Sequence, residues 1–346
     1  MPPLHRPAWA AGHSSFLRGA HGMKVLVTGA SGFIGKRVVA QLVAAGVLVR
    51  ALVRDARALP GVENISADLD DAEGLRRACR GVDAIVHCAG IAHAFDTHGS
   101  ELDALHRKIN FEATVRLGEL AAQQGVARLV FLSSVKAAGH DGCAVYDESC
   151  PIPPHGAYGQ SKRMAEEALL ACGQRTGMSV VVLRLAMTYG RGGRGNLERM
   201  AAAIRGGWFP PLPRSAAARS LLHVADAVGA IQTALVDSRA AGQRYIVAHP
   251  QTYSARQMQD AIRQALGMPA LGRGLAAGWL RVAGTLGEGV ERLTGRRMPL
   301  NREVVSRLLD AECYATRRIR NDLGWQARVD LTQGIAEMLG LADIQP

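Results

Sequence analysis

The sequence predicts an α/β fold: a parallel sheet, wound in both directions and covered by helices on both faces, followed by a smaller C-terminal region. Three observations carry this. Short apolar runs rich in Val and Ile alternate with segments whose apolar residues recur at helical spacing. The first run leads directly into a glycine-rich turn and then a helix pattern. Finally, 346 residues, 48% apolar and 21% charged, suffice for one large domain or two modest ones and exclude collagen-like, low-complexity and wholly disordered chains.

Val25–Thr28 reads as the first strand, Phe33–Ala45 as a helix and Val47–Val53 as a second strand. Ala84–His87 is another strand, bounded by Asp83 and an Ala89-Gly90 turn. Leu102–Gln124 is a long helix that Gly125 ends at a C-cap position. Leu129–Ser133 and Ser179–Leu185 are strands, with the helix Ala157–Cys172 between them. Right-handed crossovers turn this alternation into a doubly wound Rossmann sheet over residues 23–190. Residues 191–346 read as a mostly helical substrate-binding region whose strands can return to the main sheet. Residues 1–22 carry no acid and no apolar core of signal-peptide length; they are expected to be a disordered extension, with Met23 opening the fold. No uncharged apolar run approaches the ~18 residues of a spanning helix, so membrane insertion is not expected. The partly apolar stretch Leu271–Leu286 is read as a packed domain helix in preference to one resting on a membrane surface.

The 41 Lys and Arg exceed the 30 Asp and Glu, giving a net charge of +11. Such a balance invites nucleic acid, but the excess is local and lacks an aromatic ladder. Seven Arg (184, 191, 194, 199, 205, 214, 219) face a single acid, Glu198, in that stretch. A local anion site, such as one for a sugar diphosphate, is the expectation. The six Cys form no Cys-x-x-Cys pair and no metal-ligand set with His, so reduced thiols in a cytosolic protein are expected, with no metal.

Two constellations carry chemistry. In Thr28-Gly29-Ala30-Ser31-Gly32-Phe33-Ile34-Gly35, a tight turn needs Gly29, approach of a pyrophosphate needs Gly32, and helix–strand packing needs Gly35. The helix start then offers its N–H groups and positive dipole to the phosphates. At the end of the second strand Val53 stands where NAD binders usually carry an acid, and Arg54 follows, suited to a 2′-phosphate. NADP(H) is therefore preferred, with NAD(H) the alternative should Asp55 serve the ribose. Asp68-Leu69 is placed for the adenine edge. The second constellation is Tyr158-Gly159-Gln160-Ser161-Lys162, with Tyr158 and Lys162 on one helical face. A nearby ammonium is expected to lower the phenol's pKa from about 10 toward a useful range. The pair suits proton exchange with an oxygen at a carbon exchanging hydride.

These motifs, with His87-Cys88-Ala89-Gly90, Asn110, Ser133-Ser134, Arg184 with Tyr189-Gly190, Arg219–Val224 and Leu323-Gly324-Trp325, resemble the NAD-dependent epimerase/dehydratase family of extended short-chain dehydrogenases/reductases, over residues 23 to about 340. The resemblance implies that Ser134 hydrogen-bonds the reacting oxygen, that Tyr158 is the general acid/base, and that Lys162 binds the nicotinamide ribose. It adds Ala89, Gly90 and Asn110 to the cofactor-binding residues, and Lys136, Asn196 and Arg219 as contacts of a nucleotide-sugar substrate. It also implies a homodimer formed through Leu102–Gln124 and Ala157–Cys172. Val135-Lys136 replace the Asp-Glu pair of the dehydratases, and neither side chain can do that acid–base work. The stretch Ser133–Lys136 and the segment Arg219–Val224 are most similar to bacterial reductases of UDP-4-keto-6-deoxy-HexNAc, which serve surface polysaccharide synthesis. Leu185 departs from the Pro that usually follows the strand Arg. The same apparatus would serve a UDP-sugar 4-epimerase with retained NAD, and the fold alone is compatible with a non-catalytic dinucleotide sensor.

Overall fold

The computed structural model describes residues 20, 22–54, 59–92, 100–139, 145–214, 217–272, 274–294 and 301–342. Most of the N-terminal stretch, Asp55 and Cys143 lie outside the described residues. The end of that stretch is not free of the fold: Ala20 is buried in the core and its carbonyl accepts from the Met23 N–H at 3.1 Å.

Strands β1 (Lys24–Thr28), β2 (Leu48–Val53), β3 (Glu63–Ser66), β4 (Ala84–His87), β5 (Arg128–Ser134), β7 (Ser179–Leu185) and β10 (Arg244–Val247) form one sheet in the order β3-β2-β1-β4-β5-β7-β10. Every pair in it is parallel. Residues of β4 are buried throughout and those of β5 nearly so, as strands covered on both faces must be. Helices α1 (Gly35–Ala44) and α7 (Val224–Val236) cover one face; α2 (Ala72–Cys79), α4 (Ala113–Gln123) and α5 (Gly156–Thr176) cover the other. Strand order reverses between β1 and β4, which opens a crevice at the carboxyl ends of the strands. Thr28 pairs with both Leu52 and His87, so the chain leaves β1, β2 and β4 side by side at Gly29, Arg54 and Ala89.

One sequence expectation changes here. The long helix is not uniform: α3 (Ser100–His106) passes through a π-helical turn, Arg107–Glu112, into α4. A π turn changes the hydrogen-bond pattern from i→i+4 to i→i+5 over a single turn, a change the sequence reading did not anticipate. Past residue 190, α7 and β10 belong to the core of the sheet. The remaining lobe is built from α6 (Asn196–Arg205), α8 (Ala255–Ala265), α9 (Ala277–Thr294), α10 (Arg302–Leu309) and α12 (Leu331–Met338) around a third apolar cluster. Strand β9 (Ala218–His223) links it to the sheet. It runs parallel to β8 (Met187–Tyr189) and antiparallel to β11 (Thr252–Ser254). Strands β6 (Val145–Tyr146) and β12 (Cys313–Tyr314) pair nearby, and α11 (Arg317–Leu323) returns to the sheet core.

Candidate active site

The turn after β1 is fixed by close packing. Gly29 has φ +64°, and a Cβ there would meet the Ala89 backbone N at 2.7 Å; a Cβ on Gly35 would stand 2.1 Å from the Gly29 carbonyl oxygen. Gly32 differs, since its only neighbour would be the Gly29 oxygen at 3.0 Å. Exposed Ser31 and Gly32 thus border open space, while Phe33 and Ile34 lead half-buried into α1. The N-cap of α1, Ile34, makes no side-chain cap bond; the Lys36 N–H donates to the Gly32 carbonyl at 3.1 Å, and the positive end of the helix points at the turn. Arg54 is exposed one residue beyond β2, beside this turn. Asp68 is exposed beyond β3, its carboxylate accepting from the Leu69 N–H at 2.7 Å. These residues fit a dinucleotide.

Below the turn, Thr28 and His87 hydroxyl and ring meet at 2.6 Å, and His87 reaches Thr114 at 2.9 Å. Burial pushes the His87 imidazole down to about 3, with the Lys162 charge adding to the effect. Asn110 is fully buried on the π turn; its amide accepts from the Ile91 N–H and donates to the Ile91 carbonyl, both at 2.9 Å. In this structure Asn110 shapes the loop Ala89–Ile91 by holding its backbone. A Cβ on Gly90 would stand 2.9 Å from the Asn110 oxygen and 3.2 Å from Lys162 Nζ, so the bare glycine leaves room beside that ammonium.

Ser134 ends β5, and its hydroxyl accepts from the Lys136 N–H at 3.2 Å, capping the turn Val135–Ala137. Tyr158 lies in the first turn of α5. A Cβ on the adjacent Gly159 would fall 2.4 Å from the Lys136 carbonyl oxygen, so this glycine lets α5 approach the turn and brings the phenol to Ser134. Burial pushes the Tyr158 phenol above its ordinary value; a hydrogen bond from the Ser134 hydroxyl pulls the other way. The ring also packs against His106, with centroids 5.5 Å apart.

The expected lowering of the phenol by Lys162 is not what this geometry gives. Lys162 Nζ donates to the Leu132 carbonyl at 3.0 Å and sits 4.7 Å above the Phe131 ring. The lysine is thereby drawn into the sheet, and burial dominates at the phenol. Burial also lowers Lys162 to about 8, opposed by the Glu166 carboxylate. Glu166 is the member that sequence reasoning missed. It accepts from Ser133 Oγ at 2.5 Å and pairs with Arg184, Nη2 to Oε2 at 2.6 Å, with both side chains almost fully buried. The signal was present: Tyr158, Lys162 and Glu166 recur every four residues, and Arg184 is the one charge inside an apolar strand.

The expected substrate contacts divide. Lys136 Nζ and Arg219 Nη1 converge on the buried carboxylate of Glu312, at 2.8 and 3.3 Å. Arg219 Nε donates to the Asp310 carbonyl at 3.3 Å and Tyr314 OH to Glu312 at 3.1 Å. Asn196 is exposed at the start of α6. The seven Arg between residues 184 and 219 do not form one anion site: Arg184 and Arg219 pair with acids, and Arg191, Arg194, Arg199, Arg205 and Arg214 are exposed along the loop before α6, α6 itself and the loop after it. Among the described residues no group of three metal-ligating side chains is present, and five Cys are free.

Residues 25–248 match the model of the NAD dependent epimerase/dehydratase family. The chain belongs to this family. It is accordingly an enzyme of the epimerase and reductase kind, on a Rossmann-like sheet. It is 30% identical over 253 residues to a UDP-glucose 4-epimerase of Vibrio cholerae, covering 71% of this chain and 76% of that protein. It is 24% identical over 322 residues to an N-acetyl-alpha-D-glucosaminyl-diphospho-ditrans,octacis-undecaprenol 4-epimerase of Escherichia coli O157:H7, covering 91% and 94%. Among solved structures it is similar to MoeE5 in complex with UDP-glucose and NAD, at 25% identity and a TM-score of 0.72, covering 92% of this chain and 98% of that one.

Proposed function

We propose that this enzyme reduces the C4 ketone of a UDP-4-keto-6-deoxy-HexNAc, with NADPH as the preferred donor. The observation that carries the reading is the pairing of the Ser134 hydroxyl with the Tyr158 phenol, which the bare Gly159 lets approach. A bound nicotinamide supplies the hydride to the carbonyl carbon. Tyr158 donates its proton to the carbonyl oxygen as the C=O π bond opens, and Ser134 donates a hydrogen bond to the same oxygen. Lys162 orients the ribose beside Gly90, and the amides after Gly29 and at the start of α1 receive the pyrophosphate. Arg54 supports the 2′-phosphate. Val135 and Lys136, standing where a dehydratase needs two acids, leave no group to eliminate water. Lys136, Arg219 and Asn196 belong to the substrate side, with a homodimer formed through α4 and α5 as the working assembly.

A second reading has its own support: the relatives in Vibrio cholerae and Escherichia coli are named 4-epimerases, and MoeE5 was solved with NAD. An epimerase retains its cofactor, whereas a reductase releases it each cycle. Denaturing the purified protein, identifying any released nucleotide and following NADPH and NADH absorbance with the keto sugar separates them. NADPH oxidation by protein without retained NAD supports reduction. Stoichiometric NAD, with interconversion of UDP-HexNAc epimers and no net oxidation, overturns it.

A further inference from the structure

Helix α9 has two apolar sides. Leu280, Gly284 and Gly287 are buried toward the lobe; Leu280 joins the core with Leu212 and Val305, and a Cβ on Gly284 would meet the Val305 side chain at 2.8 Å. At about 100° per residue, Trp279, Val282, Leu286 and Val290 fall on one stripe turned away from that side, and Leu275 stands in the lead-in just before the helix. All five are exposed, Trp279 at 70% and Leu286 at 66%. The stripe is lengthened by Trp208, on the loop after α6, because the Leu275 N–H donates to the Pro211 carbonyl of that loop at 3.0 Å. Six of the ten exposed large apolar side chains among the described residues therefore share one patch, a concentration that marks a binding surface.

The charge around the patch says what covers it. Arg205 and Arg214 are exposed on either side of Trp208, in the segment that Leu275 joins through Pro211. The two acids of α9 face the lobe: Glu288 pairs with Arg302 at 3.8 Å and Glu291 accepts from Asn301 at 3.1 Å. A two-fold pairing of this surface with itself would bring one arginine rim against the other. An anionic bilayer meets both features, taking the apolar stripe at its acyl boundary, the indoles at headgroup level and the guanidiniums at phosphate.

We propose that α9 and the Trp208 loop dock the enzyme reversibly on an anionic phospholipid surface. Docking would set the substrate lobe against the membrane, since α9 packs on α10 and the segment after α10 holds Arg219 through Asp310 and Glu312. The proposal stands independently of the reaction assigned above.

The test is co-sedimentation of the full chain with phosphatidylglycerol–phosphatidylcholine vesicles and with phosphatidylcholine vesicles. Binding to the anionic vesicles, weakened by salt and by on the order of tenfold in Trp279→Glu/Leu286→Glu, supports it. The milder Leu286→Glu variant is expected to lose several-fold, and Arg205→Ser/Arg214→Ser to lose the salt-sensitive part. Turnover on a water-soluble substrate should not change in any of them. Absence of vesicle binding overturns the proposal, as does equal binding by the double variant. So does a finding that Trp279→Glu/Leu286→Glu dissociates an oligomer while vesicle binding is unchanged.

Discussion

The two charged clusters at the site are built on opposite principles. Around Tyr158, one carboxylate, Glu166, is enclosed with Arg184 inside the sheet and supports Lys162 from behind. Around Arg219, one carboxylate, Glu312, sits between two cations from different segments, one of them, Lys136, still 43% exposed. The first arrangement fixes a proton-handling group in one place. The second leaves charge that an anionic substrate can redistribute. In the proposed reading, the proton-handling group is held by packing and the substrate side by exchangeable ion pairs.

The largest break in that comparison is expected from Glu166→Ala. Removing the carboxylate leaves the Arg184 guanidinium buried without its counter-charge, at a cost of about 3–5 kcal/mol, read as a fall in the denaturant midpoint. Glu312→Ala should cost far less stability, and equal losses would erase the distinction. Gly159→Ala comes next. The added methyl has no room beside the Lys136 carbonyl, so α5 must shift, and a displacement of about 1 Å at Tyr158 is expected to lower kcat roughly 100-fold with a smaller change in KM.

The pH dependence of stability sharpens the packed side. His87 is pushed down to about 3 when folded, from an ordinary value near 6.5. The unfolded chain therefore binds this proton first. Stability is full above pH 6.5 and falls as pH drops toward 3, by up to about 1.4 kcal/mol per pH unit from this group. Denaturant melts between pH 7 and 4 should show that slope, and His87→Gln should flatten it. The smallest effect is expected at the exchangeable side. Glu312→Gln frees Lys136 and Arg219 for an anion, so KM for the sugar nucleotide should fall about fivefold, near 1 kcal/mol, at unchanged kcat. A rise in KM would mean that Glu312 itself holds the substrate.

What was legible in the sequence follows the same division. Ala84–His87 and Ser179–Leu185 were readable to the residue, because strands buried on both faces are apolar runs and polar residues mark their ends. The glycine turn and Tyr158 with Lys162 were readable because they rest on local spacing. Glu312 was not, since its partners lie 93 residues away at Arg219 and farther at Lys136. Strands returning to the sheet were allowed for, but β10 was not singled out, because Arg244–Val247 is too short to stand out from the lobe. Asn110 was singled out by resemblance, but its bonds to Ile91 depend on a π turn that the sequence reading did not anticipate.

The claim that Tyr158 delivers the proton is tested most directly by Tyr158→Phe, assayed for NADPH-dependent turnover with cofactor binding measured in parallel. The phenyl ring keeps the packing on His106 and removes only the hydroxyl. Cofactor binding is expected to persist while turnover falls by about 10²–10⁴-fold, the usual contribution of a positioned general acid. Turnover within a few-fold of the unsubstituted enzyme would contradict the assignment and, with it, the site built around Ser134, Tyr158 and Lys162.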